Sequence, residues 1–190
     1  ERLFHEAGEW IAQQVEKHGV WDGPLRRSYA TGSTLRLLGR EIRLGLSVLP
    51  PGRVRAAGTL NSDVLHLCLP PADILDPRPA LEHWLRRFAA QHLRQRAAEF
   101  AERTGLRPAR VVVGDRVTRW GSCSRTGTVS FCYRLVMAPP GVIDAVVVHE
   151  LCHLRFGDHG PRFRRLVVAL CPDHDARMAW LATHGEDLDL

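Results

Sequence analysis

The sequence predicts an α+β fold, with strands and helices segregated along the chain, and three observations predict it. Residues 33–70 carry a period-two apolar pattern, residues 80–105 and 139–157 carry long helical stretches, and Gly and Pro stand at the seams between them. The chain's 190 residues, 45% hydrophobic and 25% charged, are enough to bury a real core and match an ordinary globular composition. No apolar run approaches the roughly 20 residues needed to span a bilayer. The start, "ERLFHEAGEW", has no basic-then-apolar leader pattern, so a cytoplasmic address and no membrane partner are the expectation.

The elements follow in order. Residues 3–18 place Leu3, Ala7, Trp10, Ile11, Gln14 and Val15 on one face of a helix that Gly19 stops, which predicts a docking helix within residues 1–20. In residues 21–75, Leu35 and Leu37, then Ile42, Leu44, Leu46 and Val48, alternate about a turn at Gly39. "RVRAAGTL" and "DVLHLCLP" read as two further strands, so a small N-terminal antiparallel β meander is expected. The punctuation "PPADILDPRP" closes this unit, and residues 76–190 form the second. That second part opens with a long helix, apolar at Leu81, Leu85, Phe88, Ala89 and Phe100 and ended by Gly105. "ARVVVGDRVTRW" and "GTVSFCYRLV" then read as strands around the turn "SCSRTGT", the second alternating Val129, Phe131, Tyr133 and Leu135 against Thr128, Ser130, Cys132 and Arg134.

Charge and cysteines narrow the function classes. The formal charge of +5 comes from a chain rich in arginine and almost without lysine, which permits nucleotide or nucleic-acid partners without requiring them. Arg86, Arg87, Arg94 and Arg96 line the outside of the long helix, either as a solvated face or as a phosphate-binding one. The five cysteines lack C-x-x-C spacing, so neither a disulfide framework nor a cysteine-built zinc knuckle is expected.

The chemistry concentrates in "VVVHELCHLRFGDHGPRF", residues 146–163. Pro139 and Pro140 begin a helix there, apolar nearly all round, and Gly157 is expected to end it. His149 and His153 are four residues apart and project from one face. Glu150 sits about 100° further round, close enough to overlook an ion held by the two imidazoles. This H-E-x-x-H arrangement gives two neutral nitrogen ligands for Zn²⁺ with a carboxylate base beside them. After the Gly157 break, His159 closes a three-His site, while "HGPRFRRLVVAL" starts a helix with Phe163, Leu166, Val167 and Leu170 inward. His174 is the alternative third ligand. Cys152 points away from the histidine face, and Asp144 and Asp158 are candidate acceptors for ligand N–H groups.

The spacing of the three histidines is also that of metzincins. That pattern needs Gly where this chain has Phe156, and no Met-turn is present. Residues 107–181 instead closely resemble the YgjP-like family of bacterial metal-dependent hydrolases, relatives of the SprT-like zincins, and residues 34–106 resemble it more weakly. The shared features are Arg119 to Cys123, Arg134 to Val136, Ala138 with Pro139, Val147 to His153, His159 with Phe163, and Pro172 with Asp173. The resemblance implies a zincin-like metallopeptidase fold, His149, His153 and His159 as zinc ligands, and Glu150 as the catalytic residue. The chain departs from the family at Cys132 and Tyr133, where Asn-Trp is common.

The expected activity is zinc-dependent peptide hydrolysis of a peptide or protein substrate. A nucleotide phosphohydrolase, a DNA-associated peptidase like the SprT relatives, and a structural zinc module are the alternatives. Arg119 and Arg134 are candidate anion clamps, and Tyr133 or Arg119 a candidate partner for a developing oxyanion.

Overall fold

The computed structural model describes residues 29–50, 52–53, 56–116 and 118–190. The expected docking helix of residues 1–20 lies outside them. Two small sheets and four helices make up the described chain, an α+β architecture.

The first sheet contains β1 (Thr34–Leu37), β2 (Arg40–Val48), β3 (Ala57–Asn61) and β4 (Val64–Leu69). β1 and β2 form a hairpin whose two-residue turn, Leu38-Gly39, has φ of 50° and 74°. Positive φ at both turn residues matches the right-handed twist of the flanking strands. The tip of this hairpin is also a docking point. Leu38 N–H donates to the Val136 carbonyl at 2.7 Å, and a Cβ on Gly39 would stand 2.8 Å from Pro139 Cα, so only glycine fits there.

The strands are not the expected antiparallel meander. Their order is β1-β2-β4-β3, and β2 pairs parallel with β4. The cause lies in which strand most needs covering. β4, "VLHLCL", sinks Leu65, Leu67 and Leu69 to 2% exposure or less, and takes the inner position. β3, "AGTLN", has no buried residue and occupies the edge.

Helix α1 (Arg78–Thr104) buries Leu81, Leu85, Ala89, Leu93, Ala97 and Phe100, nearly one residue per turn. Gly105, at φ 74°, ends it by donating its N–H to Ala101 O. The second sheet has the order β5-β7-β6, with β5 (Arg110–Gly114), β6 (Gly121–Cys123) and β7 (Thr128–Cys132). β7 is therefore central, parallel to β5 and antiparallel to β6. The alternation expected through Leu135 stops at Cys132, where the chain tightens into a 3-10 turn over Tyr133–Met137.

Helix α2 (Pro140–Cys152) has nine buried residues and runs through the middle of the molecule. It stops one turn before Gly157, the expected end. Leu154 N–H and Arg155 N–H bond to carbonyls three residues back, closing the last turn on itself. Helices α3 (Pro161–Leu170) and α4 (His174–His184) cover it. One buried apolar cluster runs from Leu35 and Leu65 through Leu85 and Phe131 to Val147 and Leu151. All five cysteines are free, and no described helix is long and apolar enough to cross a membrane.

Candidate metal centre

His149 and His153 leave the end of α2 on one side, and the chain from Gly157 to Gly160 returns His159 to meet them. One nitrogen from each ring can be chosen so that all three lie within 4.8 Å of one another. His159 Nε2 is 3.1 Å from His149 Nε2, close to the ~3.3 Å edge of a tetrahedron built on ~2.0–2.1 Å metal–nitrogen bonds. Phe163, 2% exposed, lies beneath the cluster and touches every ring, with centroids at 5.0, 4.5 and 4.8 Å from those of His149, His153 and His159. This aromatic contact explains why α3 must begin where it does. A start at Pro161 puts Phe163 on the inward side of the first turn.

The third histidine is presented by a shaped loop. Asp158 Oδ1 accepts from Gly160 N–H at 2.8 Å, and Arg164 Nε donates to the His159 carbonyl at 3.2 Å. Asp158 thus holds the backbone that carries His159 and accepts no ligand N–H. Asp144, the other expected acceptor, is taken by Arg96 at 2.8 Å, an ion pair joining α1 to α2. What binds the far side of the rings is different. His153 Nδ1 is 3.0 Å from the Phe156 carbonyl, and His149 Nδ1 is 3.1 Å from His174 Nε2. His174, the alternative ligand, stands behind His149 and outside the cluster.

Burial shapes the electrostatics. It lowers the His149 pKa to about 4, with the neighbouring His153, His174 and His159 adding to the effect, and it lowers His153 as well. Both rings are neutral near pH 7, the form that ligates a cation. Glu150 is 7% exposed, and burial raises its pKa to about 7 although the Arg119 charge works the other way. Gly121 of β6 packs directly on it: a Cβ there would lie 2.6 Å from Glu150 Cγ and Oε1. The "RWGSC" turn therefore brings a bare backbone against the carboxylate.

A cavity of about 830 Å³ opens over these groups, lined by His149, Glu150, His153, His159, Arg119 and Arg125 together with Gly121, Ser122 and Cys123 of β6. A smaller hollow of about 400 Å³, also bordered by Arg119, adjoins it beside Trp120 and Arg134. The two candidate arginines therefore separate. Arg119 faces the histidine cavity, whereas Arg134 pairs with Asp115 at 2.7 Å and donates to the Tyr133 hydroxyl at 3.1 Å. Tyr133 is 2% exposed and gripped between the Arg86 and Arg134 guanidinium groups, so it does not border the cavity and the oxyanion role considered for it does not fit. On the outer face of α1, Arg86 is paired with Glu82 and Asp115, and Arg96 with Asp144 and Glu99. Half of the expected phosphate-binding face is thus already neutralised.

Sequence reasoning named the three histidines and Glu150 but missed the partners that hold them. His174 stood in the sequence as an alternative ligand rather than as a partner of His149, and Gly121 only within the stretch Arg119 to Cys123.

Three imidazoles converging over a buried aromatic, with a cavity and a carboxylate of raised pKa beside them, define a metal-dependent hydrolase on a zincin-like α+β scaffold. Residues 1–184 match the model of the YgjP-like metallopeptidase domain, and the chain belongs to that family. The family implies a divalent metal, and the nitrogen donor set fits one. No curated protein matches the chain.

Proposed function

We propose that this protein is a zinc-dependent peptidase, with His149, His153 and His159 as ligands and Glu150 as general base. The observation that carries the reading is the buried Glu150 carboxylate, of pKa about 7, sharing one cavity with three converging imidazoles. Three nitrogens are the usual protein complement of a catalytic zinc, whereas a structural zinc is normally closed by four protein ligands. Among the described residues no fourth His, Cys, Asp or Glu joins the cluster. Zinc held there would supply Lewis acidity, polarising a carbonyl and easing the ionisation of water.

The rest of the chemistry belongs to the chain. Glu150, held against Gly121, takes a proton from the attacking water and returns it to the leaving amine, and a pKa near the working pH suits both transfers. Arg119, exposed and facing the cavity, offers its guanidinium to negative charge developing on the carbonyl oxygen. β6, with one side paired to β7 and its residues lining the cavity, offers backbone groups to an extended peptide. β7 lies inside the sheet and has no free edge to offer.

A second reading, hydrolysis of a phosphate ester or anhydride, is favoured by Arg119 and Arg125 bordering the same cavity. Two guanidinium groups make a sparse site for a polyphosphate, and the peptide reading is preferred. The deciding experiment incubates the wild type and Glu150→Gln with an unstructured protein and, separately, with a panel of nucleoside triphosphates. Glu150-dependent cleavage of the protein alone is the expected result. Phosphate or pyrophosphate release without peptide cleavage would replace this reading with the second.

A further inference from the structure

His149 is the most enclosed of the three candidate ligands, and its two nitrogens face different worlds. Nε2 looks into the cluster, 3.1 Å from His159 Nε2. Nδ1 looks backwards, 3.1 Å from His174 Nε2, the two rings lying 10° from parallel. His174 in turn places its own Nδ1 2.9 Å from Asp175 Oδ1. The three groups form a line: carboxylate, imidazole, imidazole, cluster.

The direction of the protons along that line follows from elementary chemistry. For a singly protonated imidazole beside a carboxylate, which accepts, the hydrogen-bonding arrangement that satisfies both places the His174 proton on Nδ1, donated to Asp175. His174 Nε2 then carries a lone pair and must accept. The donor is His149 Nδ1–H, which leaves His149 with its lone pair on Nε2, the nitrogen that faces the cluster. His153 reaches the same state by a shorter route, since the Phe156 carbonyl 3.0 Å from its Nδ1 can only accept. Without His174 as acceptor, nothing else among the described residues is in hydrogen-bond contact with His149 Nδ1, and the ring is free to take the other tautomer or to rotate.

We infer that His174, backed by Asp175, is a positioning residue that selects the metal-binding tautomer and orientation of His149. This rests on the proposed ligand set. Ligand histidines usually donate their second N–H to a carboxylate or carbonyl directly. Here a buried histidine is interposed, with Asp175 exposed at the end of the line. The start of α4 makes the arrangement possible, because Asp173 and His174 begin that helix directly behind the last turn of α2.

The test measures Zn²⁺ affinity by competition with a chromophoric chelator, in variants checked for folding by circular dichroism, and needs no substrate. His174→Phe keeps a ring of similar size and removes the acceptor. His174→Gln keeps an acceptor oxygen near the position of Nε2. His174→Phe should weaken Zn²⁺ binding by about 10–100-fold, the range found when such partners are removed, and His174→Gln should recover most of the loss. Co²⁺ bound in place of Zn²⁺ should show altered d–d absorption in His174→Phe and wild-type absorption in His174→Gln. Asp175→Ala, at an exposed position, should weaken binding in the same direction and by less.

Wild-type affinity in folded His174→Phe would overturn the inference. Equal weakening in Phe and Gln variants would also overturn it, since that is what a packing role predicts. His149→Ala serves as the control for the ligand set: if it binds Zn²⁺ as tightly as the wild type, His149 is not a ligand and the inference falls with that reading. If it loses Zn²⁺ while His174→Phe does not, the ligand set stands and only the inference fails.

Discussion

Gly121→Ala adds one methyl group, and the structure says where it must go. Its three nearest neighbours would all be Glu150 atoms, Cγ and Oε1 at 2.6 Å and Cδ at 2.9 Å. Ordinary contact begins near 3.4 Å, so the carboxylate must retreat by about 0.8 Å or β6 must move by as much. The backbone of β6 is tied to β7 through the Gly121–Phe131, Ser122–Ser130 and Cys123–Val129 pairs, whereas Glu150 has the open cavity beside it. The side chain is the part that gives. A displacement near 1 Å costs a general base on the order of 10²-fold in turnover, equivalent to about 2.7 kcal/mol of transition-state stabilisation. Because the added methyl's nearest contacts are all with Glu150, metal content should be unchanged. The assay is kcat and KM on whichever substrate shows Glu150-dependent turnover, with metal measured by elemental analysis and folding by circular dichroism. Loss concentrated in kcat, with metal retained, is the expected outcome. A folded, metal-loaded Gly121→Ala enzyme with wild-type kcat would refute the claim that the bare backbone at this position sets the carboxylate.

Three further outcomes are expected. Purified protein should contain about one Zn²⁺ per chain, and His149→Ala or His159→Ala should lose it; full occupancy in His159→Ala by elemental analysis would remove that residue from the site. Phe163→Ala should cost about 3–5 kcal/mol in urea unfolding, as for other buried Phe truncations, and should also weaken Zn²⁺ binding because three rings lose their common support. In metal-free protein the pH dependence has two opposed parts. His149, lowered from 6.5 to about 4, favours folding above pH 6.5 and loses that contribution as pH falls through 4. Glu150, raised from 4.5 to about 7, favours folding below pH 4.5 and loses that contribution as pH rises through 7. Between pH 4.5 and 6.5 they offset each other, so Glu150→Gln should expose a stability that rises with pH across that window; urea midpoints that stay flat in the variant would contradict this.

The parts of the molecule written in local pattern were legible from the sequence. The i, i+4 spacing of His149 and His153, the glycine stops at Gly39 and Gly105 and the inward set of α3 each depend on a few adjacent residues. What escaped depends on distant ones. Nothing within β2 or β4 says that they pair parallel, because that choice reflects the competition of β3 and β4 for the covered position. Tyr133 and Leu135 continue a strand-like alternation in the sequence, yet the chain turns after Cys132 and buries Tyr133, Leu135, Val136 and Met137 together. Asp144 and Asp158 had the right chemistry to support ligand histidines. They are committed to Arg96 and to Gly160 N–H, partners that only the folded chain supplies. His174 acquires its contact in the same way, from the return of a later helix.

The origin of the three imidazoles has a kinetic consequence. His149 lies in the last turn of α2 and His153 directly follows it, while His159 rides on the four-residue bend Gly157 to Gly160. If these histidines hold the proposed zinc, the contacts that fix the bend, Asp158 Oδ1 with Gly160 N–H and Arg164 Nε with the His159 carbonyl, bear directly on how fast the ion exchanges. Loosening that bend should speed exchange with external chelators in both directions, leaving His149 and His153 as a weaker landing place from which the ion can be recaptured.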